Sequence, residues 1–241
     1  MNEVAQTAPP TQNSSAMIRT LTLVAAISGL SVVLVFETTK PIIAENQRIA
    51  VEKAIFQVIP NASQWQEYRL SDNKLVTVEE SDNGLSIYIG FDKEGAMQGI
   101  AAEAAAQGYA DTIKLLYGYN PDCECITGIK ILKSAETPGL GDKIFKDQDF
   151  IANFKALDAR LNQDKTALSN PIVTVKHGKK TEPWQIDAIS GATVSSRAIG
   201  KALNNSAQFL LPRAVHLLAP IKASPMTTPD KNTESAERDK S

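Results

Sequence analysis

The stretch "DAISGATVSS", residues 187–196, decides the reading of this chain. An acid opens it, and four hydroxyl residues follow: Ser190, Thr193, Ser195 and Ser196. Gly191 and Ala192 give it almost no bulk. Ser and Thr often cap helices, so one reading is a helix start. A single hydroxyl suffices for a cap, so the other reading is that one of them is bonded to something. Downstream, Ala198, Ile199, Ala202, Leu203, Phe209 and Leu210 fall at helical spacing, with the small Ser206 on the same face. The pattern predicts a helix beginning near Ser195 and closed by Pro212.

Upstream, the run "LTLVAAISGLSVVLVF", 21–36, carries no charge. With "MIRT" before it, about 20 residues give roughly 30 Å of helix, enough to cross a bilayer. A cleaved signal peptide competes, but "ETTKPIIAENQR" offers no small-residue cleavage site after the run. A span over 17–37 is therefore expected. Residues 1–16 read as a disordered tail, and 38–60 as a juxtamembrane helix ended before Pro60. Basic residues Lys40, Arg48 and Lys53 outnumber Arg19, which by charge alone places the large domain in the cytoplasm.

Residues 61–213 are long enough for one buried core. Strand-like runs occur at 74–80, 84–91, 112–119, 125–133 and 171–178. The alanines of 99–109 favour helix by propensity, but flanking glycines and neighbouring strands favour strand, which is the expectation here. Helical spacing through Phe150, Ile151, Phe154, Leu157 and Leu161 predicts a helix over 150–161. Residues 214–241 read as a disordered tail. Strands and helices mix without regular βαβ alternation, so the class is α+β: one transmembrane helix, then one mixed α/β domain.

Composition excludes several functions. Lys+Arg 25 against Asp+Glu 27 leaves no basic stripe for nucleic acid. Two histidines and two cysteines argue against a metal site. Cys123 and Cys125 read first as incidental surface cysteines and second as a labile redox pair. The chain has no C-x-x-C array for iron–sulfur clusters.

A second motif, "ETPGLGDKI", 136–144, packs Pro138, Gly139 and Gly141 into four residues. It is either a tight surface turn or a loop that brings backbone close to a ligand. G-L-G is not a dinucleotide fingerprint.

Taken together, the N-terminal span, "TKPIIAE", "ETPGLGDKI" and "DAISGATVSS" resemble the G subunit of the Rnf-type electron transport complex. The resemblance runs from about Met17 to Leu211. Its flavin motif, Asp-x-x-Ser/Thr-Gly-Ala-Thr/Ser, stands here as Asp187, Ser190, Gly191, Ala192 and Thr193. The resemblance implies an FMN-binding domain with FMN joined through its phosphate to Thr193. It implies that Glu136 and Thr137 face the flavin, with Gly139, Leu140 and Gly141 lining the same pocket. Tyr109 and Trp184 are candidates to contact the ring or are plain core. Asp187 is either a turn residue or part of the sequence read by a separate flavin transferase. Family members often carry His shortly before the Glu-Thr-Pro loop; Ser134 stands there instead, so no histidine role is carried over. The related C subunit of the sodium-pumping NADH:quinone reductase shares both motifs more loosely. A bitopic binding protein without cofactor is the remaining alternative.

The family implies electron relay among subunits of an ion-translocating ferredoxin/NAD-linked complex, with no catalytic residue or metal in this chain. It places the FMN domain outside the cytoplasm, on the periplasmic side of a bacterial inner membrane. That placement opposes the charge count and is the expectation adopted.

Overall fold

The computed structural model describes residues 14–71, 74–77 and 84–223. Of the tails expected at 1–16 and 214–241, residues 1–13 and 224–241 lie outside the described residues, and residues 14–16 are helical rather than a tail.

Helix α1, Ser14–Val58, is a single element with Pro41 inside it. Where the sequence reading sets a membrane helix beside a juxtamembrane one, the structure has no break. The helix contains an 18-residue window of mean hydropathy 2.0, long and apolar enough to cross a membrane.

Seven strands form one antiparallel sheet in the order β2-β1-β3-β4-β5-β6-β7. They are β1 (Gln64–Ser71), β2 (Lys74–Thr77), β3 (Leu85–Phe91), β4 (Met97–Gln107), β5 (Thr112–Asn120), β6 (Cys125–Lys133) and β7 (Leu157–Asp158). Side chains alternate between the two faces. Ile87, Ile89, Ile100, Ala102, Leu115 and Tyr117 face one core. Tyr88, Ala101 and Leu116 face a second, smaller one. Ala101, Ala102 and Ala104 of β4 are buried, Ala101 against the smaller core and Ala102 and Ala104 against the larger one, so both faces of the strand are covered there. The strand expected at 99–109 is present.

The smaller core is completed by Ala54, Ile55 and Val58 at the end of α1. Gly118 makes the approach possible. A Cβ there would collide with the Val58 carbonyl, which instead accepts a hydrogen bond from Thr127 Oγ1 at 2.5 Å.

Helix α3, Thr193–Ala223, covers the larger core. Tyr117 Oη and Ser206 Oγ lie 3.1 Å apart, and Ser206 Oγ also donates to the Glu103 carbonyl at 3.2 Å. The helix runs through Pro212, contrary to the expected stop, and residues 214–223 are helical rather than a tail. Proline inside a helix costs about 3 kcal/mol. Leu210, Leu211, Ala214 and Leu218 are all buried, so the apolar stripe continues across Pro212 and offsets that cost.

The expected helix over 150–161 is a correction. Only α2, Gln148–Ala152, is helical; Asp147 Oδ1 caps it, accepting from Asp149 N and Phe150 N at 3.0 Å. Phe150, Phe154, Leu157 and Leu161 are buried as the spacing implied. The backbone nevertheless turns away, because Ala159 N donates to Glu124 O and Asp158 N to Pro183 O, both at 3.1 Å. Two short strands, β8 (Val173–Val175) and β9 (Gln185–Asp187), pair in parallel beside α3. Cys123 and Cys125, expected first as incidental, are joined by a disulfide in the β5–β6 turn.

Candidate functional site

The turn from Ala188 to Ala192 delivers the chain from β9 into α3. Ser196 fastens it: its Oγ accepts from Ile189 N at 3.1 Å and donates to the Ala192 carbonyl at 2.9 Å. Gly191 holds φ +82°, which favours glycine. The first intrahelical bond of α3 runs from Ser196 N to Ala192 O at 2.9 Å. The N–H groups of Thr193, Val194 and Ser195 precede it, so they form the positive end of the helix dipole.

Ser195 plays a different part. Its buried hydroxyl donates to Glu136 Oε2, while Glu136 Oε1 accepts from Ala110 N at 3.0 Å. Glu136 is itself buried, and both oxygens have donors. Gly141 is needed beside this pair: a Cβ there would stand 2.5 Å from Glu136 Oε2 and 3.0 Å from Ser195 Oγ.

The loop after Glu136 is a folded turn. Leu140 N donates to Thr137 O at 3.2 Å, and Gly139 N to Asp142 Oδ1 at 2.8 Å. Lys146 Nζ, 2.5 Å from Asp142 Oδ2, holds the Asp142 carboxyl below the usual carboxylate range.

Between this loop and the start of α3 lies a cavity of about 480 Å³. Glu136, Thr137, Leu140 and Gly141 line it from one side, and Gly191, Ala192, Thr193 and Ser195 from the other. Tyr109 and Val194 complete its rim. The Thr193 hydroxyl has no hydrogen-bond partner among the described residues. Two motifs about fifty residues apart thus share one wall.

The structure divides the expected set. Thr193, Gly191, Ala192, Glu136, Thr137 and Leu140 meet in this cavity. Gly139 belongs to the loop but does not line the cavity; its φ of +80° closes the turn. Asp187 and Ser190 line a second cavity of about 520 Å³ with Lys143, Asn153 and His177. There Asp187 Oδ1 accepts from Gly178 N at 2.7 Å, and Asp187 Oδ2 lies 3.3 Å from His177 Nδ1. Trp184 is half-buried and lines neither cavity.

Sequence reasoning did not find the Glu136–Ser195 bond, the anchoring role of Ser196, or the parts of Asn153 and His177. Asn153 Oδ1 accepts from both Asp187 N and Lys180 Nζ at 3.1 Å. The partners of Glu136 and Asn153 are distant along the chain, and the nearby partners of Ser196 are backbone groups of the turn, which its sequence does not distinguish from those of its neighbours.

Residues 108–208, which contain both walls of this cavity, match the FMN-binding domain family. The solved structure of NqrC from Shewanella oneidensis shares the fold, with TM-score 0.57 at 16% identity, over 75% of this chain and 100% of that one. In sequence, the G subunit of the ion-translocating oxidoreductase complex of Shewanella piezotolerans is 31% identical over 183 residues, covering 71% of this chain and 77% of the relative. The G subunit of the Na(+)-translocating ferredoxin:NAD(+) oxidoreductase complex of Acetobacterium woodii is 31% identical over 160 residues, 63% of this chain and 70% of the relative. The chain belongs to the G subunits of ion-translocating oxidoreductase complexes.

Proposed function

We propose that this chain carries FMN joined through its phosphate to Thr193 and relays electrons between subunits of a membrane-bound ferredoxin/NAD-linked, ion-translocating complex. The observation that carries this is the Thr193 hydroxyl. It stands without a partner among the described residues at the N-terminus of α3, on the wall of a cavity large enough for a cofactor.

The residues fit the group. Thr193, Val194 and Ser195 offer N–H groups and a helix dipole to a phosphate. Gly191 has nothing within 4 Å of where a Cβ would stand, leaving room for a chain laid against the backbone. Glu136 does not present a bare charge, because Ser195 and Ala110 hold its oxygens. Tyr109, 73% exposed, and Leu140, 53% exposed, supply apolar surface at the rim for a ring system. When bound, FMN supplies the redox chemistry, including one-electron steps, and the protein sets its position and surroundings.

Ser190 and Gly191 are exposed, so a flavin transferase can reach the motif. Helix α1 anchors the chain in the membrane. The Cys123–Cys125 disulfide supports an extracytoplasmic placement of the domain, because disulfides persist in oxidising compartments. That observation favours the family orientation over the charge count.

The test is a denaturing gel of the full chain coexpressed with a flavin transferase. A band fluorescing yellow-green under ultraviolet light is expected. Protein that is folded yet dark, with no flavin released on denaturation, would return the chain to a binding protein without cofactor.

A further inference from the structure

We propose that Cys123 and Cys125 form a reversible dithiol–disulfide couple whose state sets how firmly β7 is held on the sheet. This is independent of the flavin reading.

The pair does little for the fold. It spans a sequence separation of 2, so it closes the shortest loop that one spacer residue allows and removes little freedom from the unfolded chain. The spacer, Glu124, is held at φ +50°, a left-handed conformation that a glutamate seldom adopts. Cys123 is exposed at the turn while Cys125 is buried. An exposed sulfur in a constrained ring is the situation of labile disulfides rather than structural ones.

The same turn carries a strand. Cys125 pairs with Asp158, and Ala159 N donates to the Glu124 carbonyl at 3.1 Å. These contacts help to hold β7, which has two residues and among the described residues pairs with β6 alone, its other backbone bond running from Asp158 N to Pro183 O. Opening the ring releases Glu124 from its left-handed conformation and turns that carbonyl away from Ala159.

The reactant is a dithiol. One of its thiolates attacks Cys123 Sγ; the bond to Cys125 Sγ breaks, and the electron pair leaves on Cys125, which takes a proton. The second thiol then attacks the mixed disulfide and releases Cys123 as a thiol. The dithiol is oxidised by two electrons, the pair is reduced by two, and two protons move with them.

The experiment equilibrates the folded full chain, in detergent and without denaturant, in mixtures of reduced and oxidised dithiothreitol. Thiols are trapped by alkylation and counted by mass, and amide exchange is followed at Ala159. The pair is expected to titrate reversibly, gaining two alkyl groups when reduced, with Ala159 exchanging roughly tenfold faster. Cys123→Ser should keep the fast exchange under oxidising conditions; if that variant does not fold, the wild-type titration decides alone. A pair that alkylates only after unfolding, or thiols that stay free in the oxidised buffer, would overturn the couple. Unchanged exchange at Ala159 across a reversible titration would overturn its link to β7.

Discussion

Ser195 donates its hydroxyl hydrogen to Glu136 Oε2 across 59 residues of sequence, and this bond joins the Gly-rich loop to the first turn of α3. Without it, the two walls of the cavity have no direct side-chain tie among the described residues. Ser195→Ala should leave a buried carboxylate oxygen without its donor and cost about 1–3 kcal/mol. Urea unfolding reads this directly. Glu136→Gln keeps an acceptor for Ala110 N and should cost less; equal losses would mean that the charge of Glu136 matters beyond its hydrogen bonds.

Thr193→Val preserves size and removes the hydroxyl. It should abolish covalent flavin fluorescence while the unfolding midpoint stays within about 0.5 kcal/mol of wild type. Ser190→Ala should retain the band, because Ser190 is exposed and lines the neighbouring cavity. Fluorescence surviving in Thr193→Val moves the attachment elsewhere.

The two loop glycines should fail differently. Gly139→Ala meets open space, and its cost is the positive φ, about 1 kcal/mol. Gly141→Ala drives a methyl group to 2.8 Å from Glu136 Cβ and should cost more, about 1–3 kcal/mol. It should also disturb the flavin spectrum by displacing Glu136 and Ser195. A redox titration showing both variants unshifted would detach the loop from the flavin.

Stability should fall in acid through Asp158. Burial acts to raise its carboxyl, but Arg160 outweighs that with bonds of 2.9 and 2.8 Å and holds it below the usual range. A lowered folded-state pKa stabilises the fold fully above the unfolded value, near about 3.9, and that contribution is lost as pH falls through the folded value. Asp158→Asn should therefore cost about 1–2 kcal/mol at neutral pH and flatten the acid limb of the stability curve. Urea midpoints between roughly pH 5 and pH 2 check this. A variant with the same acid limb as wild type would assign it to other carboxylates.

Orientation is open to a fusion test. A reporter active only outside the cytoplasm, joined after Lys222, should be active. Activity of a cytoplasmic reporter at the same point would instead vindicate the count of Lys40, Arg48 and Lys53.

The sheet was legible because apolar, aromatic-rich runs bounded by turn residues mark strands even where both faces are buried, as along β5 from Ile113 to Tyr119. The motif pair was legible because small residues and glycines mark places where backbone must come close. What was not legible depended on distant partners. Leu157 and Leu161 kept helical spacing while β6 and Pro183 captured the backbone between them. Pro212 looked like a stop because its cost is local, whereas the burial of Ala214 and Leu218 that offsets it is not. Nothing local distinguished Ser195 and Ser196, which are tied into the protein, from Thr193, which is not.

The Val58 carbonyl seated over Gly118 has a practical consequence for anyone wanting the FMN-binding domain in water. The end of α1 and the domain share a core: Ala54, Ile55 and Val58 cover Tyr88, Ala101 and Leu116. Trimming the helix at the visually obvious place, Pro60, would strip that cover and leave an apolar patch on the sheet, an invitation to aggregate. Solubilisation should instead cut ahead of Ile49, so that the last helical turns travel with the domain as its lid.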